Sequence, residues 1–143
     1  MKDSERIREY LRQIERALDQ LDQEKASCCN TTMAQCHALV ELGRLEKVSV
    51  NGLSEVLNLD KSTTSRTIQQ LYEQNRVERT PSSEDRRQLD LTLTETGLND
   101  YRKIESTMNS FFEQAYEAIP EASREQVVLA LEILSKAIKT ASK

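Results

Sequence analysis

A mainly α chain with one small β-hairpin is the fold class this sequence predicts, on three observations. Apolar residues recur at three- and four-residue steps over most of the 143 residues. Period-two alternation is confined to two short neighbouring stretches, the mark of a single hairpin. Charged residues at 31% and aromatics at 4%, with three Gly and two Pro, suit long helices better than a large sheet. The length fits one domain, 1–143, with a genuine core.

The elements follow in order. Ile7, Leu11, Ile14, Leu18 and Leu21 set one apolar stripe on a long first helix, a stripe that needs a partner. The pattern breaks at Ala26 to Asn30, and Thr31 or Thr32 caps a second helix holding Met33, Cys36, Leu39, Val40 and Leu42. With Ala34 and Ala38 added, this helix is apolar on most sides and is expected to be buried. Lys47 to Val50 is a brief strand or extended chain, and Ser49 caps a short third helix with Leu53, Val56 and Leu57. Asn58 ends it, because its side chain tolerates the left-handed conformation of a tight turn. Asp60 precedes a fourth helix, Lys61 to Tyr72, whose Thr64, Ile68 and Leu71 repeat at i, i+4 and i+7, so only one face is apolar. Val77 to Thr80 and Leu89 to Leu93 form the hairpin, with a polar tip between them. Thr94 caps a long helix from about Glu95 to about Tyr116, and after Pro120 a last helix carries Val127, Leu131, Leu134 and Ile138.

Composition narrows the function. No stretch approaches the roughly 18 apolar residues of a membrane span, and the first residues lack a signal-peptide run, so a cytoplasmic protein without membrane association is expected. A net charge of −4 argues against a general polyanion binder. From Lys61 to Arg87, however, six cations stand against Glu73, Glu78, Glu84 and Asp85, a local net of +2 that leaves −6 for the rest. There is no phosphate-cradling glycine loop, no zinc-protease or nucleophile-elbow motif, and one His in the chain, so neither an enzyme nor a cofactor is expected.

The order helix, tight turn, polar-faced helix, hairpin is that of a winged helix-turn-helix. The second helix of such a pair offers small donors and acceptors to base edges in the major groove, and Ser62, Thr63, Ser65, Arg66 and Gln69 supply them. Its N-terminus directs free N–H groups outward, which favours a phosphate, and Lys61 adds a full charge there. At the hairpin tip Arg86 and Arg87 can reach a narrow minor groove, with Asp85 positioning the wing. Each part alone has a plainer explanation, as helix cap or solvated loop; their order and spacing favour double-stranded DNA as the partner. A winged-helix module that binds a protein instead is the alternative.

Leu57-Asn58-Leu59-Asp60-Lys61-Ser62-Thr63-Thr64-Ser65-Arg66, followed by Val77-Glu78-Arg79, Glu84-Asp85-Arg86-Arg87 and Leu91-Thr92-Leu93-Thr94-Glu95-Thr96-Gly97, resembles the MarR family of bacterial regulators over about residues 48–97. The resemblance implies a homodimer whose outer helices, 1–30 and 98–143, interlock, with two winged regions, 31–97, spaced to read a pseudo-palindromic operator. It also implies that Asp85 and Arg87 form the family's Asp-x-Arg wing unit, and that the regulator is a repressor released by a small-molecule or thiol-reactive inducer. Two positions depart from the pattern: Asn75-Arg76 stands where many relatives have Gly-Leu, and Gly52 lies inside the third helix.

Two groups keep alternatives open. Ile7, Leu11, Phe111, Phe112, Leu131 and Leu134 are candidates for the dimer interface or for ordinary intrachain core. Cys28, Cys29 and Cys36 are reduced thiols that read as a thiol sensor or soft-metal site, or as small core residues at a helix junction. No metal is assigned, because their spacing is not a standard zinc motif.

Overall fold

The computed structural model describes the backbone of residues 1–143 and the side chains of all but Lys25, Ser27 and Cys28. The helices are α1 (Asp3–Cys28), α2 (Met33–Leu45), α3 (Val50–Leu57), α4 (Lys61–Glu73), α5 (Glu95–Ala118) and α6 (Arg124–Ala141), and the strands are β1 (Val48–Ser49), β2 (Val77–Pro81) and β3 (Leu89–Leu93). No helix among the described residues is long and apolar enough to cross a membrane. The chain divides into two compact units, Met1–Met108 and Asn109–Lys143.

In the first unit the caps explain why the helices start where they do. Thr32 opens α2 with a reciprocal capping box: its hydroxyl accepts from the Gln35 N–H at 3.1 Å, while Gln35 Oε1 accepts from the Thr32 N–H at 3.3 Å. Ser49 Oγ accepts from the Gly52 N–H at 3.0 Å to open α3. A Cβ at Gly52 would lie 2.7 Å from Val48 Cγ2, so close packing of β1 explains this helical glycine. Asn58 ends α3 in the left-handed region (φ 55°, ψ 44°), and Asn75 does the same after α4 (φ 59°). There the Arg76 N–H donates to the Leu71 carbonyl and the Asn75 N–H to the Tyr72 carbonyl, at 2.9 and 3.0 Å, which satisfies carbonyls that the helix end would leave orphaned.

The core of this unit is Leu39, Leu42, Leu53, Ile68, Leu71, Val77, Leu91 and Ile104, with Cys29 and Cys36. The sheet has three antiparallel strands in the order β1-β3-β2, with Val48 opposite Leu91 and Val77 opposite Leu93. The hairpin expected from alternation is present, and the extended segment before α3 adds its third strand. Thr94 Oγ1 accepts from the Gly97 N–H at 3.1 Å, capping α5, and donates to the Asn75 carbonyl at 2.6 Å. A Cβ at Gly97 would collide with the Arg76 carbonyl, so the Thr-x-x-Gly pattern locks the start of α5 to the end of α4.

The second unit holds the end of α5, a single 3₁₀ turn at Glu121–Ser123, and α6. The sequence led directly from Pro120 into a helix; the 3₁₀ turn intervenes, with the Ser123 N–H donating to the Pro120 carbonyl at 2.8 Å. Arg124 closes the end of α5 by donating to the carbonyls of Tyr116, Glu117 and Ile119 at 3.1 to 3.2 Å. No residue of α6 is buried.

Candidate nucleic-acid interface

Helix α4 is held by one face and open on the other. Thr64, Thr67, Ile68 and Leu71 are buried. The two threonine hydroxyls donate to the carbonyls four residues back, at 3.1 and 3.0 Å, so both polar groups are satisfied inside the core. Lys61, Ser62, Ser65, Arg66 and Gln69 are exposed on the other side. Thr63 is half-buried and engaged in capping. Its N–H and hydroxyl donate to the Asp60 carboxylate at 3.0 and 2.6 Å, and Arg66 donates to its Oγ1 at 3.4 Å. The hydrogen bond from the Thr63 hydroxyl, followed by that from its N–H, holds the Asp60 carboxyl below its ordinary value of 3.8.

The wing is an ordered turn. Ser82 N–H donates to the Gln88 carbonyl at 2.9 Å, and Gln88 N–H to the Asp85 carbonyl at 3.0 Å. Asp85 Oδ1 accepts from the Arg87 backbone N–H at 3.0 Å, so this carboxylate shapes the backbone on which Arg87 is carried. Arg86 and Arg87 are exposed.

The start of α4 and the base of the wing meet in one cleft of about 250 Å³, lined by Lys61 and Ser65 from α4, Arg87, Gln88 and Leu89 from the wing, and Ser49, Val50 and Asn51 from the start of α3. Two cations border this cleft, and among the described residues no carboxylate lines it. The N-termini of α3 and α4 both contribute to its wall, and a helix N-terminus carries partial positive charge. Lys61 at the first position of α4 is placed where a cation is disfavoured, an arrangement suited to an anion such as a phosphodiester.

Farther along α4, Gln69 is bound into a network that local pattern does not reveal. Its Oε1 accepts from Arg79 of β2 at 3.0 Å, its Nε2 donates to Glu73 at 3.0 Å, and the Arg79 guanidinium lies 3.8 Å from the Tyr72 ring centroid. Behind α4, Arg76 turns inward. Its Nε lies 3.0 Å from Asp100 Oδ2 of α5, and it donates to the Cys29 carbonyl at 2.8 Å. The residue that departs from the Gly-Leu pattern thus ties the α4–β2 corner to α5 and to the end of α1. Its partner stands 24 positions away, and only the unusual Arg at an apolar position signalled it.

Cys29 and Cys36 are buried in the core, and the Cys29 thiol donates to the Asp100 carbonyl at 3.6 Å. The side chain of Cys28, the third candidate thiol, lies outside the described residues. Among the described residues, no group of three His, Cys, Asp or Glu side chains is arranged to hold a metal ion.

Residues 31–89 match the model of the MarR family. The chain is 31% identical over 104 residues to an uncharacterized HTH-type transcriptional regulator, YhjH, of Bacillus subtilis (strain 168), and 32% identical over 72 residues to the HTH-type transcriptional regulator SarZ of Staphylococcus haemolyticus (strain JCSC1435). These alignments cover 68% and 50% of this chain, which spans 59% and 46% of the length of those relatives. In fold it is similar to FabT of Streptococcus pneumoniae, solved in complex with DNA, with a TM-score of 0.82 and 21% identity over 96% of this chain and 99% of FabT. The MarR family match falls on the segment that builds α2 to the wing, and the fold of the chain as a whole is similar to that of FabT.

Proposed function

We propose that this chain is a sequence-specific, DNA-binding transcriptional repressor. In this reading Lys61, Ser62, Thr63, Ser65, Arg66 and Gln69 of α4 face the major groove, Arg86 and Arg87 contact the backbone or minor groove from the wing, and Asp85 positions the wing. The observation that carries it is the cleft in which Lys61, Ser65 and Arg87 converge without a carboxylate among the described residues. Two cations and two helix N-termini around one opening gain from an anion between them, and DNA supplies phosphates in regular array. The likeness to FabT, which was solved with DNA, supports the same partner.

The functional unit in this reading is a homodimer, with 1–30 and 98–143 as its dimerisation helices and 31–97 as the winged region, reading a pseudo-palindromic operator in the cytoplasm. The exposed Ile7 of the first unit and, separately, the exposed Phe112 and Leu131 of the second support apolar contacts with a second copy. Release by a small ligand or by thiol modification completes the proposal; its support is the clustering of Cys28, Cys29 and Cys36 within nine positions and the likeness to the MarR family over residues 31–89. Titrating the complex with arsenite, an organic peroxide and a phenolic compound tests that step, and binding untouched by all three contradicts it.

Selection of bound duplexes from genomic fragments tests the function. Enrichment of one pseudo-palindromic motif is expected. Failure to enrich any sequence would contradict the proposal and favour a winged module that binds protein.

A further inference from the structure

We propose that Arg79 and Glu73 are specificity-positioning residues, which hold the side-chain amide of Gln69 in one orientation so that it reads an adenine. The inference rests on the reading above, in which α4 faces the bases of duplex DNA.

Gln69 is exposed on the open side of α4. Its Oε1 accepts from Arg79 and its Nε2 donates to Glu73, each at 3.0 Å. A guanidinium carries only donors and a carboxylate only acceptors. Exchanging the two ends of the amide would set donor against donor and acceptor against acceptor, so the orientation is chemically unambiguous. Glu73 stands four residues on, one helical turn along the same face. Arg79 is fixed by its place in β2 opposite Leu91 and by the Tyr72 ring beneath its guanidinium.

Each end of the amide uses only one of its two hydrogen-bonding positions in this network. Oε1 retains a second lone pair and Nε2 a second hydrogen. An acceptor beside a donor complements the N6 amino group and N7 of adenine in the major groove, whereas guanine presents two acceptors there. The network also removes rotamer freedom from Gln69 before DNA arrives, so less ordering remains for the binding step. Arg79, which the sequence shows as a local cation in the Val77-Glu78-Arg79 stretch with no sign of its partner, thereby acts through Gln69.

The test uses the full chain and a duplex selected from a random library. Each base pair of the half-site is varied in turn, and affinities are measured for wild type, Gln69→Ala, Arg79→Lys, Glu73→Gln and the Gln69→Ala/Arg79→Lys double variant, with thermal melts to confirm folding. Wild type is expected to favour A·T at one position of each half-site by roughly tenfold or more. Gln69→Ala removes that preference. Arg79→Lys keeps the charge but loses the planar, stacked fork, so it reduces the preference at the same position to within about threefold with the salt slope unchanged. Glu73→Gln weakens the preference at that position too, and in the double variant Arg79→Lys adds nothing there beyond Gln69→Ala.

Arg79→Lys weakening all four base pairs alike would make Arg79 a phosphate contact and overturn the inference. A Gln69→Ala variant with unchanged base preference would overturn it while leaving DNA reading intact. A wild-type chain that selects no sequence would remove the proposed function and this inference together.

Discussion

In the unit Met1–Met108, Leu39, Leu42, Leu53, Leu71 and Leu91 are sealed from solvent, whereas in the unit Asn109–Lys143 Val128, Leu129, Leu131 and Ile133 are each more than half exposed, Ile133 at 61%. Helices and apolar residues are plentiful in both. The difference lies in whether the chain itself supplies the other side. The winged region covers its leucines with three helices and a three-stranded sheet, so that it can hold a polar surface outward in fixed geometry. Helix α6 repeats apolar residues at helical spacing with no buried position, and such a surface is stable in water only at a cost, or against a partner. The proposed second copy of this chain is that partner.

The largest expected effect comes from breaking the sealed unit at a buried charge pair. Arg76 and Asp100 are both mostly buried, with side chains 15% and 12% exposed. Asp100→Ala leaves a guanidinium without its counter-charge and is expected to cost about 3–5 kcal/mol in denaturant unfolding. Arg76→Leu combined with Asp100→Leu removes both charges and is expected to recover most of that loss; equal instability of the single and double variants would contradict the pair's role.

A matched pair of leucines sharpens the contrast between the units. Leu53→Ala opens a cavity in the core and is expected to cost about 2–5 kcal/mol at any protein concentration. Leu131→Glu is expected to leave the helical content intact and to shift the sedimenting species from dimer to monomer. Loss of helix in Leu131→Glu, or a dimer that survives it, would show that this face belongs to the protomer's own core.

The smallest effect concerns the cap of α4. Asp60 has its carboxyl pKa lowered by the Thr63 hydroxyl and N–H, so its contribution is fully present above the ordinary value of 3.8 and is lost as pH falls through the lowered folded value. Asp60→Asn, which cannot ionise, is expected to differ from wild type above that range and to converge with it in acid. Melting temperatures across an acid series provide the check, and a difference that persists at the lowest pH would contradict the assignment.

Much of the fold was legible because its signals are local. Thr32, Ser49 and Asp60 cap helices through their own hydroxyl or carboxylate oxygens, Asn58 and Asn75 take left-handed turns, and alternation marks β2 and β3. The exposed polar face of α4 followed from Thr64, Ile68 and Leu71 taking the other side. What escaped depends on partners distant in sequence. The pairing of Val48 with Leu91 spans 43 positions, and two residues of extended chain carry no periodicity that predicts it. The inward turn of Arg76 requires Asp100, and the clamp on Gln69 requires Arg79 from a different element. At the start of α4 the Asp60 carboxylate engages the Thr63 hydroxyl as well as its N–H, a second bond that the helix-cap pattern alone does not predict.

The central claim is that the start of α4 and the wing grip the phosphate backbone of duplex DNA. Its most direct test is a salt titration of binding to the selected operator, comparing wild type with Arg87→Ala. Affinity is expected to fall steeply and log-linearly with salt, and Arg87→Ala to lower that slope by about one for each protomer. Binding insensitive to salt, or an unchanged slope on losing Arg87, would contradict it.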